Sequence, residues 1–126
     1  MDDREFHGEQ LKLFATFNER LQAYAAAPGG EAFAELARDF ASLQERSEAL
    51  LDEGPPLVAR MLTTAPQLAQ EFPRGLLWYL GGECLHYMPD EEIDRYTALD
   101  EQRRDAVARD EPFDWQRALA SKSGLQ

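Results

Sequence analysis

Cysteine is nearly absent. Cys84 is the one cysteine in 126 residues, so no disulfide can close within the chain. That excludes a disulfide-stapled scaffold and fits a reducing cytosol. Long apolar runs are missing too. The longest lies between Gly75 and Gly82 and ends at Glu83, far short of the ~20 residues a membrane span needs. The start, Met1-Asp2-Asp3-Arg4-Glu5, is acidic, with neither the net-basic beginning nor the apolar run of a secretory signal. Positive charge is scarce, with 13 Lys and Arg against 24 Asp and Glu and a net charge of −11. Such a surface repels phosphate backbones and anionic lipid, so neither nucleic acid nor a membrane is an expected partner. Histidine appears twice, as His7 and His86. No sustained period-two alternation and no Asn-Gly or Asp-Gly turn occurs, so no strand is expected.

What is present is ordinary for a globular protein: 44 % hydrophobic and 29 % charged residues. A chain of this length buries roughly two-thirds of its unfolded surface, which is enough for a core without metal or disulfides. Charge is uneven along it. Residues 1–54 hold 5 basic and 12 acidic groups, residues 55–89 hold 2 and 2, and residues 90–126 hold 6 and 10. A neutral, apolar middle between charged flanks predicts one domain over 1–126 with its centre built from the middle third.

Helical spacing dominates. Phe6, Leu13, Phe14, Phe17, Leu21 and Tyr24 fall at three- and four-residue steps, predicting a first helix over about 4–27. Pro28-Gly29-Gly30 stops it. Phe33, Leu36, Ala37, Phe40, Leu43, Leu50 and Leu51 predict a second helix over about 31–51, antiparallel to the first. Gly54-Pro55-Pro56 reads as the next break, with Pro56 opening a third helix that ends near Pro66. Thr63 or Thr64 is then placed to cap a short continuation to Glu71. Residues 74–87 are apolar on nearly every side, which predicts a buried central helix interrupted by Gly81-Gly82. Asp90 is placed to cap a fifth helix, with Glu91 and Glu92 in its first turn. The stretch 100–111 reads as an exposed helix, and Arg103-Arg104 as part of a solvated, salt-bridged face. Pro112 starts a last short helix anchored by Phe113, Trp115 and Leu119, and 121–126 reads as a frayed tail. The expectation is an all-α single-domain bundle of five to six helices, its long N-terminal antiparallel hairpin packed on the buried apolar helix at about 74–87.

Glu83 and His86 stand three residues apart and share one helical face. Di-iron carboxylate proteins use this Glu-x-x-His spacing, but with two such units and two more glutamates. This chain has one unit, so a divalent metal at Glu83 and His86 competes with a simple buried pair in which each satisfies the other. Trp78, Tyr79, Gly82 and Tyr87, with Glu83 and His86, offer a lining for a small-ligand pocket. Core packing with satisfied polar tips is the competing account. Cys84 and His86 point about 200° apart on a helix, so they make no thiolate–imidazole pair, and no catalytic residue is assigned. The acids of 90–94 lack the alternating ligands and central glycine of a calcium loop.

The segment Leu77-Trp78-x-Leu80-Gly81-Gly82-x-Cys84-Leu85-His86-x-Met88-Pro89-Asp90-Glu91-Glu92 resembles a small family of bacterial proteins of uncharacterised activity. The resemblance implies a compact helical fold and brings no catalytic residues with it. With no catalytic signature, the expected role is a non-enzymatic cytoplasmic protein that works through protein contacts, including a homodimer, and needs no cofactor. The alternative is a metal- or small-ligand-binding protein or enzyme centred on Glu83 and His86.

Overall fold

The computed structural model describes residues 1–124, and among them all regular structure is helical. Six α-helices occur: α1 (Asp3–Ala26), α2 (Ala34–Glu45), α3 (Leu50–Thr64), α4 (Arg74–Leu80), α5 (Asp90–Ala108) and α6 (Trp115–Gly124). Short 3₁₀ segments fill Gly30–Phe33, Ser47–Ala49, Pro66–Glu71 and Gly82–Tyr87. The chain divides into two compact units, Gln10–Met88 and Met1–Glu9 with the chain from Pro89 onward. The tail expected over 121–126 falls partly on α6, and residues 125–126 lie outside the described residues.

In the unit Gln10–Met88, α1 and α2 form the expected antiparallel hairpin. Phe14 stacks on Phe40 at 5.3 Å and Phe17 tilts against it at 5.6 Å. Phe17 also meets Phe72 edge-on at 4.9 Å. Polar groups along the seam pair with each other: Asn18 donates to Gln44 at 2.6 Å, and Gln22 donates to the Ala37 carbonyl at 2.7 Å. Tyr24, expected inside, is 37 % exposed and its hydroxyl donates to Glu71 at 2.6 Å. A phenol keeps its polar tip wet when it sits at the edge of a seam.

The second helix is shorter than its apolar spacing predicts. It ends at Glu45, because Gln44 to Glu48 are five consecutive polar residues with nothing to bury. The chain bends at Arg46 (φ −115°, ψ 58°), and both Leu43 and Leu50 reach the core. Conversely, Gly54-Pro55-Pro56 is no break, since α3 runs straight through it. The two prolines deprive the Leu51 and Asp52 carbonyls of their helical donors, but both residues are exposed, so water can take over. Gly54 serves contact: a Cβ there would stand 2.9 Å from Leu80 Cδ2 on α4. Thr63 and Thr64 do not cap the segment after α3. The Thr64 hydroxyl donates back to the Arg60 carbonyl at 2.8 Å.

The buried helix expected over 74–87 is two pieces. Helix α4 stops at Leu80, and Gly81 adopts φ 66°, ψ −148° before the 3₁₀ segment begins. That backbone region is essentially reserved for glycine. Leu76, Leu77, Leu80 and Cys84 are buried, but Trp78 and Tyr79 are half-buried. Gly81→Ala is expected to cost about 1–3 kcal/mol, measured by urea unfolding. An alanine variant as stable as the parent would show that the chain does not turn this way at residue 81.

In the other unit, Asp2 and Glu5 form a capping box at the start of α1. The Asp2 carboxylate accepts from the Glu5 N–H at 2.8 Å, and the Glu5 carboxylate accepts from the Asp2 N–H at 3.0 Å. Helix α5 is continuous where two stretches of different character were expected, and Pro89 rather than Asp90 precedes its first residue. Arg104 is solvated as predicted, but Arg103 is not. Its side chain is 2 % exposed, and its partners are Asp100, Asp3 and the Met1 carbonyl. Phe6 is packed against Trp115 with ring centres 4.6 Å apart. Helix α6 starts at Trp115, later than Pro112, with the Asp114 carboxylate accepting from the Arg117 N–H at 3.1 Å.

Candidate functional site

The turn at Gly81 decides where the sequence-predicted site residues stand. It converts the helical Glu83-x-x-His86 spacing into a 3₁₀ one, in which residues three apart eclipse each other. Glu83 and His86 therefore share a face, but that face is exposed, as are Gly82 and Tyr87. A buried pair satisfying itself is thus not what the structure holds, since both side chains are exposed. Among the described residues no group of three His, Cys, Asp or Glu side chains is gathered to hold a metal ion. Two donors on one turn fall short of the three protein ligands that a catalytic zinc takes. Trp78 and Tyr79 remain on α4, half-buried, with Gly82 and Tyr87 on the far side of the break.

Cys84 alternates inward from the same turn. It is fully buried, and its thiol lies 3.7 Å from the Pro55 carbonyl. Burial, helped by the adjacent Glu83 charge, pushes its pKa up to about 12. The thiolate is the reactive species, so the native protein is expected to leave thiol reagents unreacted at neutral pH. Urea should release one equivalent of reactive thiol. Rapid labelling of the folded protein would overturn this packing of residue 84.

Among the surface grooves of the unit Gln10–Met88 are two to which sequence patterning did not point. The first, about 460 Å³, runs between α2 and α3. Two arginines line it, and each is already taken. Arg46 makes a two-pronged pair with Glu53 at 2.7 and 2.9 Å, and Arg60 pairs with Asp39. The Glu53 carboxyl is held below its usual pKa by its hydrogen bond to Arg46. These exposed pairs occupy both arginines, leave Asp52 as a further acid in the lining, and add little stability.

The second groove, about 240 Å³, opens where α1 meets the end of α2 and the start of α3. Leu11, Phe14, Ala15, Leu43 and Leu50 line it with apolar surface, and Lys12, Gln44 and Ser47 complete it. Phe14, Leu43 and Leu50 are buried core residues whose outer edges form the floor, while Leu11 and Ala15 are half-buried. The available signal was Leu11 and Ala15, four residues apart. They widen the apolar stripe of α1 beyond what the hairpin seam uses.

The described residues define an all-α protein that carries an open apolar groove beside α1, α2 and α3. The chain belongs to the PA2817-like family, which it matches over residues 3–123. That name carries no activity, and no curated protein and no solved structure matches the chain. No helix among the described residues is long and apolar enough to cross a membrane.

Proposed function

We propose that this protein is a non-enzymatic, cytoplasmic interaction module that uses the α1–α2–α3 groove to hold part of another protein. The observation that carries the reading is the groove itself: an apolar floor left open on the surface, framed by Gln44 and Ser47. Apolar surface rimmed by polar groups is what a partner's anchoring side chain fills. A single, buried cysteine suits a reducing compartment. The metal reading at Glu83 and His86 has only two exposed donors to support it.

Ala15→Glu places a charged side chain at the groove floor on a half-buried helix position. The test is affinity purification of the protein from cells that make it, as parent and as Ala15→Glu, with circular dichroism to verify the fold. A stoichiometric protein retained by the parent and lost by the folded variant is the expected result. A partner retained equally by both, or a parent that carries no partner, would sink the reading.

A further inference from the structure

The bend between α2 and α3 contains no residue that requires it. Residues 44–53 hold neither glycine nor proline, and glutamine, glutamate, arginine and alanine are among the better helix formers. Yet Arg46 leaves the helical region, and Ser47–Ala49 form a 3₁₀ turn. A 3₁₀ stretch set inside an otherwise helical run marks a hinge. We infer that this bend is the hinge of a domain exchange whose partner is a second copy of this chain. In the exchanged dimer α2 and α3 join into one helix over 34–64, and residues 1–45 of each copy take the place of the other's.

The sequence across the bend carries the argument. Phe40, Leu43, Ser47, Leu50, Gly54 and Leu57 follow one another at alternating steps of three and four. That is the heptad spacing of one continuous helix, and it passes through the bend without losing its place. Two helices that only met at a turn would have no reason to stay in phase. Phe40, Leu43, Leu50 and Gly54 are buried and Leu57 is half-buried, while Ser47, at the bend itself, is exposed. A helix over 34–64 would be about 46 Å long. Its internal prolines are no new obstacle, because α3 already runs through Pro55-Pro56.

Opening the hinge loses little that the exchange does not restore. Arg46 bridges the bend to Glu53, and both side chains are exposed, so breaking that pair costs little. The Arg60–Asp39 pair and the edge-on contact of Phe17 with Phe72 also join the two sides of the hinge. Both re-form between copies, as contacts do when identical elements are exchanged. The hinge turns gain helical hydrogen bonds, and association opposes that gain with its entropy. Protein concentration therefore sets the balance. Leu43, Gln44, Ser47 and Leu50 line the α1–α2–α3 groove from both sides of the bend, so the exchange dismantles the groove. Bent monomer and exchanged dimer thus offer different surfaces, and the inference stands apart from the groove reading.

The test refolds the full chain from urea over a range of protein concentrations and separates monomer from dimer by size-exclusion chromatography. Asp39→Cys with Arg60→Cys puts two thiols across α2 and α3 for a short bismaleimide to join, and Cys84 is buried away from it. The expected dimer forms at high concentration, returns slowly to monomer on dilution and cross-links between chains, whereas the monomer cross-links within one. Ser47→Leu should raise the association constant about tenfold, the scale of burying one leucine. Ser47→Pro should abolish the dimer, because proline suits the first position of a 3₁₀ turn but breaks a helix interior. If circular dichroism shows that variant unfolded, Ser47→Gly with Glu48→Gly should lower the dimer share in its place. The inference is overturned if the parent and Ser47→Leu both stay monomeric at millimolar concentration. It is equally overturned by a dimer that cross-links only within its chains, or by folded hinge variants that dimerise as readily as the parent.

Discussion

Arg103→Met is expected to lower the unfolding free energy by about 3 kcal/mol, the low end of what breaking a buried ionic network costs. Arg103 Nε donates to Asp100 Oδ1 at 2.9 Å, Nη2 to Asp3 Oδ1 at 2.8 Å and Nη1 to the Met1 carbonyl at 3.0 Å. Its guanidinium also lies over the Phe6 ring, 4.6 Å from the centre. Methionine fills the volume and supplies none of these. Asp100, 10 % exposed, then keeps only Arg104 at 3.1 Å, and the Met1 carbonyl loses its donor. The loss stays at the low end because Asp3 is exposed and can return to water. Arg103→Lys should fall between the two, since an ammonium keeps the charge but not the planar fork.

The pH dependence of that loss identifies its cause. Burial pulls the Arg103 pKa down, but hydrogen bonds to Asp3 and Asp100 outweigh it and leave it above its ordinary value. Arg103 in turn holds the Asp3 carboxyl below the usual carboxylate range, by hydrogen bond first and by charge second. A carboxyl whose folded pKa lies below its unfolded one contributes stability above the unfolded value. That contribution disappears as pH falls through the folded value. The difference between parent and Arg103→Met, measured by urea unfolding, should therefore be constant near neutrality and shrink in acid below the ordinary carboxylate range. A difference that stays constant throughout would mean that packing on Phe6, rather than the ionic clasp, supplies the stability.

Arg103 also shows where reading the sequence stops. Its neighbours are Gln102, Arg104 and Asp105, and local pattern assigns such a residue to a solvated face. The partners that bury it, Met1 and Asp3, lie about a hundred positions away, and no spacing rule connects them. The hairpin was legible for the opposite reason. Phe14, Phe17, Leu21, Phe40 and Leu43 repeat at helical intervals, and all five are buried. Boundaries were harder wherever two local rules competed. Leu50 and Leu51 continue the spacing of α2 but belong to α3, because five polar residues intervene. Gly54-Pro55-Pro56 obeys every rule for a break, yet the exposed preceding turn makes the missing hydrogen bonds inexpensive. At the candidate site the spacing of Glu83 and His86 was legible, but their exposure depended on the backbone angles of Gly81. The groove was invisible because Leu11 and Ala15 look like any other residues at the edge of an apolar stripe.

The second large effect is expected at Gly30, where alanine should destabilise by about 3 kcal/mol, the upper range for forcing atoms into a packed site. Gly30 follows Pro28 and Gly29 at the bend between α1 and α2, and its N–H donates to the Ala27 carbonyl at 2.9 Å. A Cβ at residue 30 would run into the Tyr24 carbonyl oxygen and stand 2.8 and 2.9 Å from the Ala25 carbonyl oxygen and carbon. All three are backbone atoms, so no rotamer change relieves the overlap. The end of α1 would have to move away from the bend. The seam depends on that geometry, because Gln22 reaches the Ala37 carbonyl across it. Gly29 is the internal control. Its φ is +84° and a Cβ there would meet nothing within 4 Å, so Gly29→Ala incurs only the left-handed backbone cost of about 1–2 kcal/mol. Urea midpoints should therefore rank the parent first, Gly29→Ala second and Gly30→Ala last. A reversed order of the two variants would mean that the chain leaves α1 by another path. The α1–α2 seam, and with it one wall of the groove, would then have to be redrawn.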